Sequence, residues 1–423
     1  MTRYREGLRW LYGLESRGIK LGLERIAEAA ELREHPEQET RYVHVAGTNG
    51  KGSVATMVES VLRAAGYRTG QFASPHLQRY VERVRIGGRP ISEREAARRI
   101  EELRADKRLP PLSFFEYTTL LAFEAFRDAH CDIVVLEVGL GGRLDSTNIV
   151  TPEVSVITNI SFEHQRILGD TLAKIAREKA GVLKPNVPCV VGARGKDVRR
   201  AIAARARAVG APLRWIDRDF ESTWNNGSLS VRVGERNWTG LRLGLQGDYQ
   251  GDNAACALAT LTELGEHGFK VSDADVRAGL KRAKWPGRLE WHRGKPSFLF
   301  DAAHNASGCE TLARYLDGLD VSGRVVLLFG AMRDKDHQRM LAAFDGRVDR
   351  RVYASSGVYR SVSPERLSRL RKGTVARSVR DAVARAKRAA GPGGLVVVAG
   401  SIFLVSEVRA LVKQVRTDPP IAM

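Results

Sequence analysis

Apolar and polar positions along the chain alternate between short buried-type runs and longer amphipathic stretches, the pattern of a parallel sheet covered by helices. Tyr42–Ala46 (YVHVA) reads as a strand, and beyond a Gly-rich turn a helix is predicted from Ser53 to Ala65. Phe114–Ala129 is helical in period and leads into the apolar run Ile133–Val138 (IVVLEV), a strand buried on both faces. Val154–Asn159 predicts another strand, Leu172–Ala180 a helix, and Pro188–Gly192 starts a further strand. From Trp215 to Leu243 short alternating segments with Asn-Gly and Gly-Glu turns predict an antiparallel meander appended to the main sheet. Helix returns at Asn253–Leu264.

The Pro- and Gly-punctuated stretch Trp285–Pro296 (WPGRLEWHRGKP) is the best boundary. A second βα series follows, with strands at Ser297–Phe300, Val325–Phe329, Arg351–Ala354 and Leu395–Ala399. The expected architecture is α/β throughout. Residues 1–290 are expected to form a P-loop-type parallel-sheet domain with its small meander, and 291–423 a smaller Rossmann-like domain. A length of 423 residues suits two cores.

Composition narrows the function classes. The net charge of +19 raises nucleic acid as a partner, but the arginines are dispersed along helical stretches such as Arg94–Arg104 and Arg199–Arg207. Aromatic residues make up only 7%, so a base-stacking platform is not supported and no nucleic-acid partner is expected. No apolar run approaches the ~20 residues that span a bilayer, and Met1–Arg17 lacks a signal-peptide core. A cytoplasmic protein, away from membranes and monomeric, is expected. Cys131, Cys189, Cys256 and Cys309 lie far apart, with neither disulfide nor zinc spacing.

Gly47-Thr48-Asn49-Gly50-Lys51-Gly52-Ser53 sits between a strand and a helix, where backbone amides and the helix N-terminus favour a phosphate. Lys51 can reach the outer phosphates, and Ser53 can help position Mg²⁺ or phosphate. The loop departs from G-x-x-x-x-G-K-[ST], because Val45 falls at the first glycine and Gly52 follows the lysine. This irregular spacing resembles the loop of the Mur ligase superfamily, which joins a carboxylate to an amine at the expense of ATP.

Three more groups end strands or helices on the same expected sheet edge. Glu137 closes IVVLEV, His164 follows VSVITNI, and Lys179 lies near a helix C-terminus. Each alone has a structural reading: Glu137 pairing with Arg143, a satisfied histidine, a lysine complementing the helix dipole. Together they suggest a second Mg²⁺ site, in which Lys179 takes part only as a carbamate, since an ammonium cannot ligate a metal.

Motifs along almost the whole chain resemble folylpolyglutamate synthase/dihydrofolate synthase, the folate branch of that superfamily. They include LGLERI (21–26), HVAGTNGKGS (44–53), SPHL (74–77), SFFEYTTL (113–120), EVGLGGRLDSTN (137–148), REKAGVLK (177–184), PGRLE (286–290), DAAHN (301–305), DKD (334–336) and GSIFLVSEVR (400–409). The resemblance implies that Gly47 to Ser53 hold the ATP phosphates, with Lys51 catalytic. It puts Ser74 and Glu137 on Mg²⁺, and His164 and carbamylated Lys179 on a second ion, both groups serving catalysis. Asn253, Arg288, Asp301 and His304 would grip ATP, with Asn305 nearby and the second domain closing over it. Ser113, Asp145, Ser146 and Thr147 map onto pterin contacts. Two positions depart from the family: Glu163 stands where Asp usually precedes the histidine, and Ala306 where Pro usually follows DAAHN.

The implied reaction is ATP-dependent addition of L-glutamate to dihydropteroate, to tetrahydrofolate polyglutamates, or to both, through an acyl phosphate. The cofactors are two Mg²⁺ ions, with K⁺ a further candidate. A cell-wall Mur ligase is disfavoured because few residues precede the phosphate loop. A nucleic-acid-linked P-loop NTPase would need a clear second acidic Mg²⁺ motif and a basic groove.

Overall fold

The computed structural model describes residues 2–14, 21–225 and 227–418. Asn226, the first residue of the Asn-Gly turn, lies outside them, as do Met1 and Glu15–Arg17 of the N-terminal stretch. The chain divides into two compact units: residues 1–76, 81–245 and 249–284, and residues 77–80, 246–248 and 285–423. By packing, the change of unit falls between Lys284 and Trp285, where the sequence reading put it after Glu290.

The first unit is built on an eight-stranded sheet. Its order is Arg89–Pro90, Val84–Ile86, Thr69–Phe72, Ile133–Glu137, Arg41–Ala46, Val154–Ile157, Cys189–Val191, Leu213–Trp215. The six strands from Thr69–Phe72 onward run parallel, and the first two add an antiparallel edge. Ile133–Glu137 and Val154–Ile157 are buried along their whole length; the first reads as an apolar run for that reason, while the second carries Ser155, whose hydroxyl donates to Val182 O at 3.1 Å. The predicted helices are present as Lys51–Ala64, Phe114–Asp128, Leu172–Lys179 and Gln250–Glu266. Helices Leu172–Lys179 and Lys196–Val209 bury Ala176, Val198 and Ile202 against Ala46, Ile157 and Val191 of the sheet.

The expected antiparallel meander is present, as a sheet of its own. Phe220–Asn225, Ser228–Val233 and Arg236–Leu241 form a separate three-stranded antiparallel sheet packed on helix Gln250–Glu266, while Leu213–Trp215 belongs to the main sheet. Alternating polarity marks a half-buried strand but not its partner.

The second unit carries a six-stranded sheet in the order Glu290–His292, Ser297–Phe300, Leu395–Ala399, Val325–Phe329, Arg350–Tyr353, Thr374–Val375. All pairs are parallel except the first. Its core sets Phe298, Phe300, Leu328, Val396 and Val398 against Ala382, Ala386, Leu404 and Val408 of two helices. Glu290 accepts from Arg409 at 2.8 and 2.9 Å and from Lys413, and Arg409 also donates to Gln78. Many arginines pair with carboxylates, as in Arg98–Glu102, Arg99–Asp128, Arg194–Asp252 and Arg347–Asp317. Among the described residues no helix is long and apolar enough to cross a membrane.

Candidate active site

Strand Arg41–Ala46 lies between Ile133–Glu137 and Val154–Ile157, with Val45 beside Glu137 and Ala46 beside Ile157. From this strand the chain builds first toward Thr69–Phe72 on one side and later toward Cys189–Val191 on the other, so the loops at the C-terminal strand ends diverge here and open a crevice. Gly47–Gly50 enters there and is braced from the neighbouring strand end. Thr48 N donates to Asn159 O at 2.9 Å, Asn49 N to Asn159 Oδ1 at 2.8 Å, and Thr158 Oγ1 to Asn49 O at 2.7 Å. The amides of Thr48 and Asn49 are thus committed to the loop's own shape. The helical ladder starts with Val54 N donating to Gly50 O, so the amides of Gly50 to Ser53 precede it and face the helix N-terminus.

Two glycines are required by geometry. Gly47 has φ +143°, and a Cβ there would lie 2.0 Å from Thr158 Oγ1. Gly50 has φ +87°, and a Cβ would lie 2.5 Å from Asn253 Oδ1. Asn253 donates to Gln250 Oε1 at 2.8 Å, and Gln250 reaches Ser53 Oγ at 3.4 Å, so Asn253 and Ser53 are joined through one side chain. Gln250, Thr158 and Asn159 were not singled out from sequence. The TN pair closing VSVITNI was the available signal.

Lys51 Nζ donates to Thr48 O at 3.1 Å and stands 4.0 Å from Glu137 Oε1. Glu137 is buried at the end of its strand. Arg143, its alternative partner by sequence, pairs instead with Glu178 at 3.1 Å. Lys179, only 4% exposed, donates to Gly47 O at 2.7 Å, which brings it to the first residue of the phosphate loop. Burial pulls its ammonium down to about 7; Lys51 adds to the fall, and Glu163 and Asp145 oppose it. His164 has a left-handed backbone (φ +49°), and its Nε2 stands 4.0 Å from Glu163 Oε1. Ser74 lies in the loop after Thr69–Phe72, before a cis Ser74–Pro75 bond.

Asp145, Ser146 and Thr147 are buried in the turn after Gly142-Arg143. Asp145 accepts from Leu140 N at 2.7 Å, Thr147 N at 3.0 Å and Thr147 Oγ1 at 2.5 Å; burial raises its pKa and these bonds oppose the rise. Ser113 has a structural role, since its hydroxyl and Glu116 form a capping box that starts helix Phe114–Asp128.

Arg288, Asp301, His304 and Asn305 belong to the second unit. Asp301 accepts from Leu289 N at 2.9 Å and Ala303 N at 2.8 Å; burial raises its pKa, against the attraction of Arg288. His304 Nδ1 lies 2.9 Å from Ala302 O, and Asn305 caps helix Ala306–Asp317 through Gly308 N. Ala306 is therefore the first helical residue, a position that takes Pro or Ala without a lost hydrogen bond.

Residues 45–261 match the Mur ligase middle domain family, and residues 287–402 match the Mur ligase glutamate ligase domain. A dihydrofolate synthase/folylpolyglutamate synthase from Bacillus subtilis is 32% identical over 97% of this chain and 100% of its own. The chain belongs to the dihydrofolate synthase/folylpolyglutamate synthase family. Among solved structures, Escherichia coli FolC in complex with DHPP and ADP superimposes with a TM-score of 0.88 at 35% identity, covering 96% of this chain and 98% of that one. A bifunctional folylpolyglutamate synthase/dihydrofolate synthase with Mn, AMPPNP and L-glutamate bound gives 0.87 at 37% identity, with coverage of 96% and 98%. The family's amide-forming chemistry accords with a phosphate loop that brings Lys51, Glu137 and Lys179 to one sheet edge.

Proposed function

We propose that the protein adds L-glutamate to dihydropteroate and to reduced folates, as a bifunctional ATP-dependent ligase acting through an acyl phosphate. The observation that carries this reading is the convergence of the Gly50–Ser53 amides, Lys51, Glu137 and Lys179 at one strand end. The likeness to relatives holding a nucleotide with DHPP or L-glutamate supports the substrates.

The amides of Gly50 to Ser53 and the Lys51 ammonium hold the ATP phosphates and offset charge as the γ-phosphoryl group moves. A substrate carboxylate oxygen bonds to the γ-phosphorus and ADP leaves. The neutral amine of glutamate then attacks the acyl carbon, and phosphate departs with the former carboxylate oxygen.

The residues present fit Mg²⁺. Among the described residues no three His, Cys, Asp or Glu side chains cluster as a protein-only metal cage, and Mg²⁺ bound with substrate phosphates needs only one or two carboxylates. Glu137 and Ser74 would hold one ion, and His164 with Lys179 as its carbamate a second. The ions would supply charge neutralisation at the phosphates. A lysine held near pH 7 presents the neutral amine that CO₂ requires, which supports the carbamate. Asn253 is assigned to ATP, and Ser113, Asp145, Ser146 and Thr147 to the pterin. Arg288, Asp301 and His304 are assigned to ATP by family resemblance alone. Four buried free thiols favour a cytoplasmic setting.

The test is ADP release by the purified chain with Mg-ATP, glutamate and either dihydropteroate or tetrahydrofolate. Release that requires all three substrates, with each acid, is expected. Release with neither acid refutes the proposal, and release with one alone removes the bifunctional part.

A further inference from the structure

We propose that His44 is a positioning residue for the pteroate subsite: from inside the central strand it donates to Thr147 and so fixes the Thr147 hydroxyl on Asp145. This deepens the preceding reading, in which Asp145 and Thr147 receive the pterin.

His44 is fully buried in strand Arg41–Ala46, three residues before the phosphate loop. Its Nε2 lies 2.8 Å from Thr147 Oγ1, and Thr147 Oγ1 lies 2.5 Å from Asp145 Oδ1. The three side chains form a continuous chain from the sheet interior to the turn. Its direction follows from donor counting. Burial raises the Asp145 pKa, but backbone N–H bonds from Gly139, Leu140 and Thr147 oppose the rise and are made to the carboxylate. Thr147 has one hydroxyl proton, and a carboxylate at 2.5 Å takes it. The Thr147 oxygen must then accept from His44, so the imidazole carries its proton on Nε2.

The reverse chain, running from a protonated Asp145 to His44, would place the imidazole proton on Nδ1. That atom is buried and has no hydrogen-bond partner among the described residues. Nδ1 is unpartnered in either direction, and an orphaned buried N–H is rarer than an orphaned acceptor. The reverse chain also needs a protonated carboxyl facing three backbone N–H donors, so the forward direction wins. Burial and Lys184 also hold the imidazole neutral, pulling it down to about 3.

A free Thr147 hydroxyl rotates among three staggered wells. Tied at both ends it has one, and Asp145 is held with it. The gain falls on acid-substrate binding, since the nucleotide loop is braced separately by Thr158 and Asn159.

The test uses the full chain with dihydropteroate varied at saturating ATP and glutamate. His44→Phe keeps the ring but cannot donate, and should raise KM for dihydropteroate about tenfold with kcat within about twofold. KM for ATP should not move. His44→Gln returns an N–H near the Nε2 position and should recover most of the loss. Combined with Thr147→Val, His44→Phe should add nothing further, because the partner is already gone. Equal loss in His44→Phe and His44→Gln, a parallel fall in ATP affinity, or additive effects would overturn the proposal.

A second measurement reads the wild-type protein itself and needs no kinetics. Nitrogen-15 spectra of histidine-labelled wild-type protein, with the signal assigned by its loss in His44→Gln, should show Nε2 protonated and Nδ1 bare at neutral pH. The opposite tautomer also overturns the proposal. Absence of turnover by the wild type defeats the functional reading instead, and the spectrum still decides the hydrogen-bond direction.

Discussion

Lys179 should weaken the fold it sits in, and replacing it should make the protein more stable and inactive. The lysine is 4% exposed, and burial lowers its ammonium from 10.5 to about 7. At about 1.4 kcal/mol per pH unit, the folded state disfavours the charged form by about 5 kcal/mol below pH 7. The unfolded chain holds this proton up to 10.5 and the folded chain releases it near 7, so between those values the unfolded state binds more protons. Stability therefore rises with pH across that window. By pH 9 about 3 kcal/mol of the loss is recovered.

Lys179→Met keeps the length of the side chain, removes the charge and forfeits the 2.7 Å bond to Gly47 O, a pH-independent loss of about 1 kcal/mol. In carbonate-free buffer the variant should exceed wild type by about 4 kcal/mol at pH 6 and by about 1 kcal/mol at pH 9. Urea unfolding followed on the first unit reads the difference, while turnover should fall to background. A variant less stable than wild type at pH 6, or a difference that does not change with pH, would refute the reasoning.

Glu137→Gln should melt within a few degrees of wild type yet lose Mg²⁺-dependent turnover; full turnover would remove Glu137 from the metal. Gly50→Ala forces a Cβ into a left-handed turn 2.5 Å from Asn253 Oδ1, which costs about 1–3 kcal/mol and should weaken ADP binding by calorimetry. Unchanged affinity would show that the cradle tolerates a shift there. Arg409→Met leaves Glu290 with Lys413 and the Gly287 amide, and should lower protection in residues 285–418 by about 2–3 kcal/mol in hydrogen exchange, without altering exchange in residues 133–157.

Central parallel strands were readable because burial on both faces leaves uninterrupted apolar runs, as in Ile133–Glu137. The phosphate loop was readable because positive φ at Gly47 and Gly50 demands glycine. The edge strands Val84–Ile86 and Arg89–Pro90 carry too few residues to show a period. The meander's alternation was visible, but its separation from the main sheet rests on pairing, which no local pattern encodes. Side-chain partners were hardest of all. His44 looks like any polar residue in a strand, and its partner Thr147 stands 103 residues away. Ser113 and Asn305 lay in recognisable motifs, yet both also cap helices, a role their sequence positions did not separate from ligand binding.

The acyl phosphate is the centre of the account, and isotope transfer tests it most directly. With the reacting carboxylate of dihydropteroate labelled with oxygen-18, turnover in the presence of ATP and glutamate should deliver one labelled oxygen to inorganic phosphate, read as a shifted phosphorus-31 resonance. Unlabelled phosphate accompanying amide formation would contradict the account.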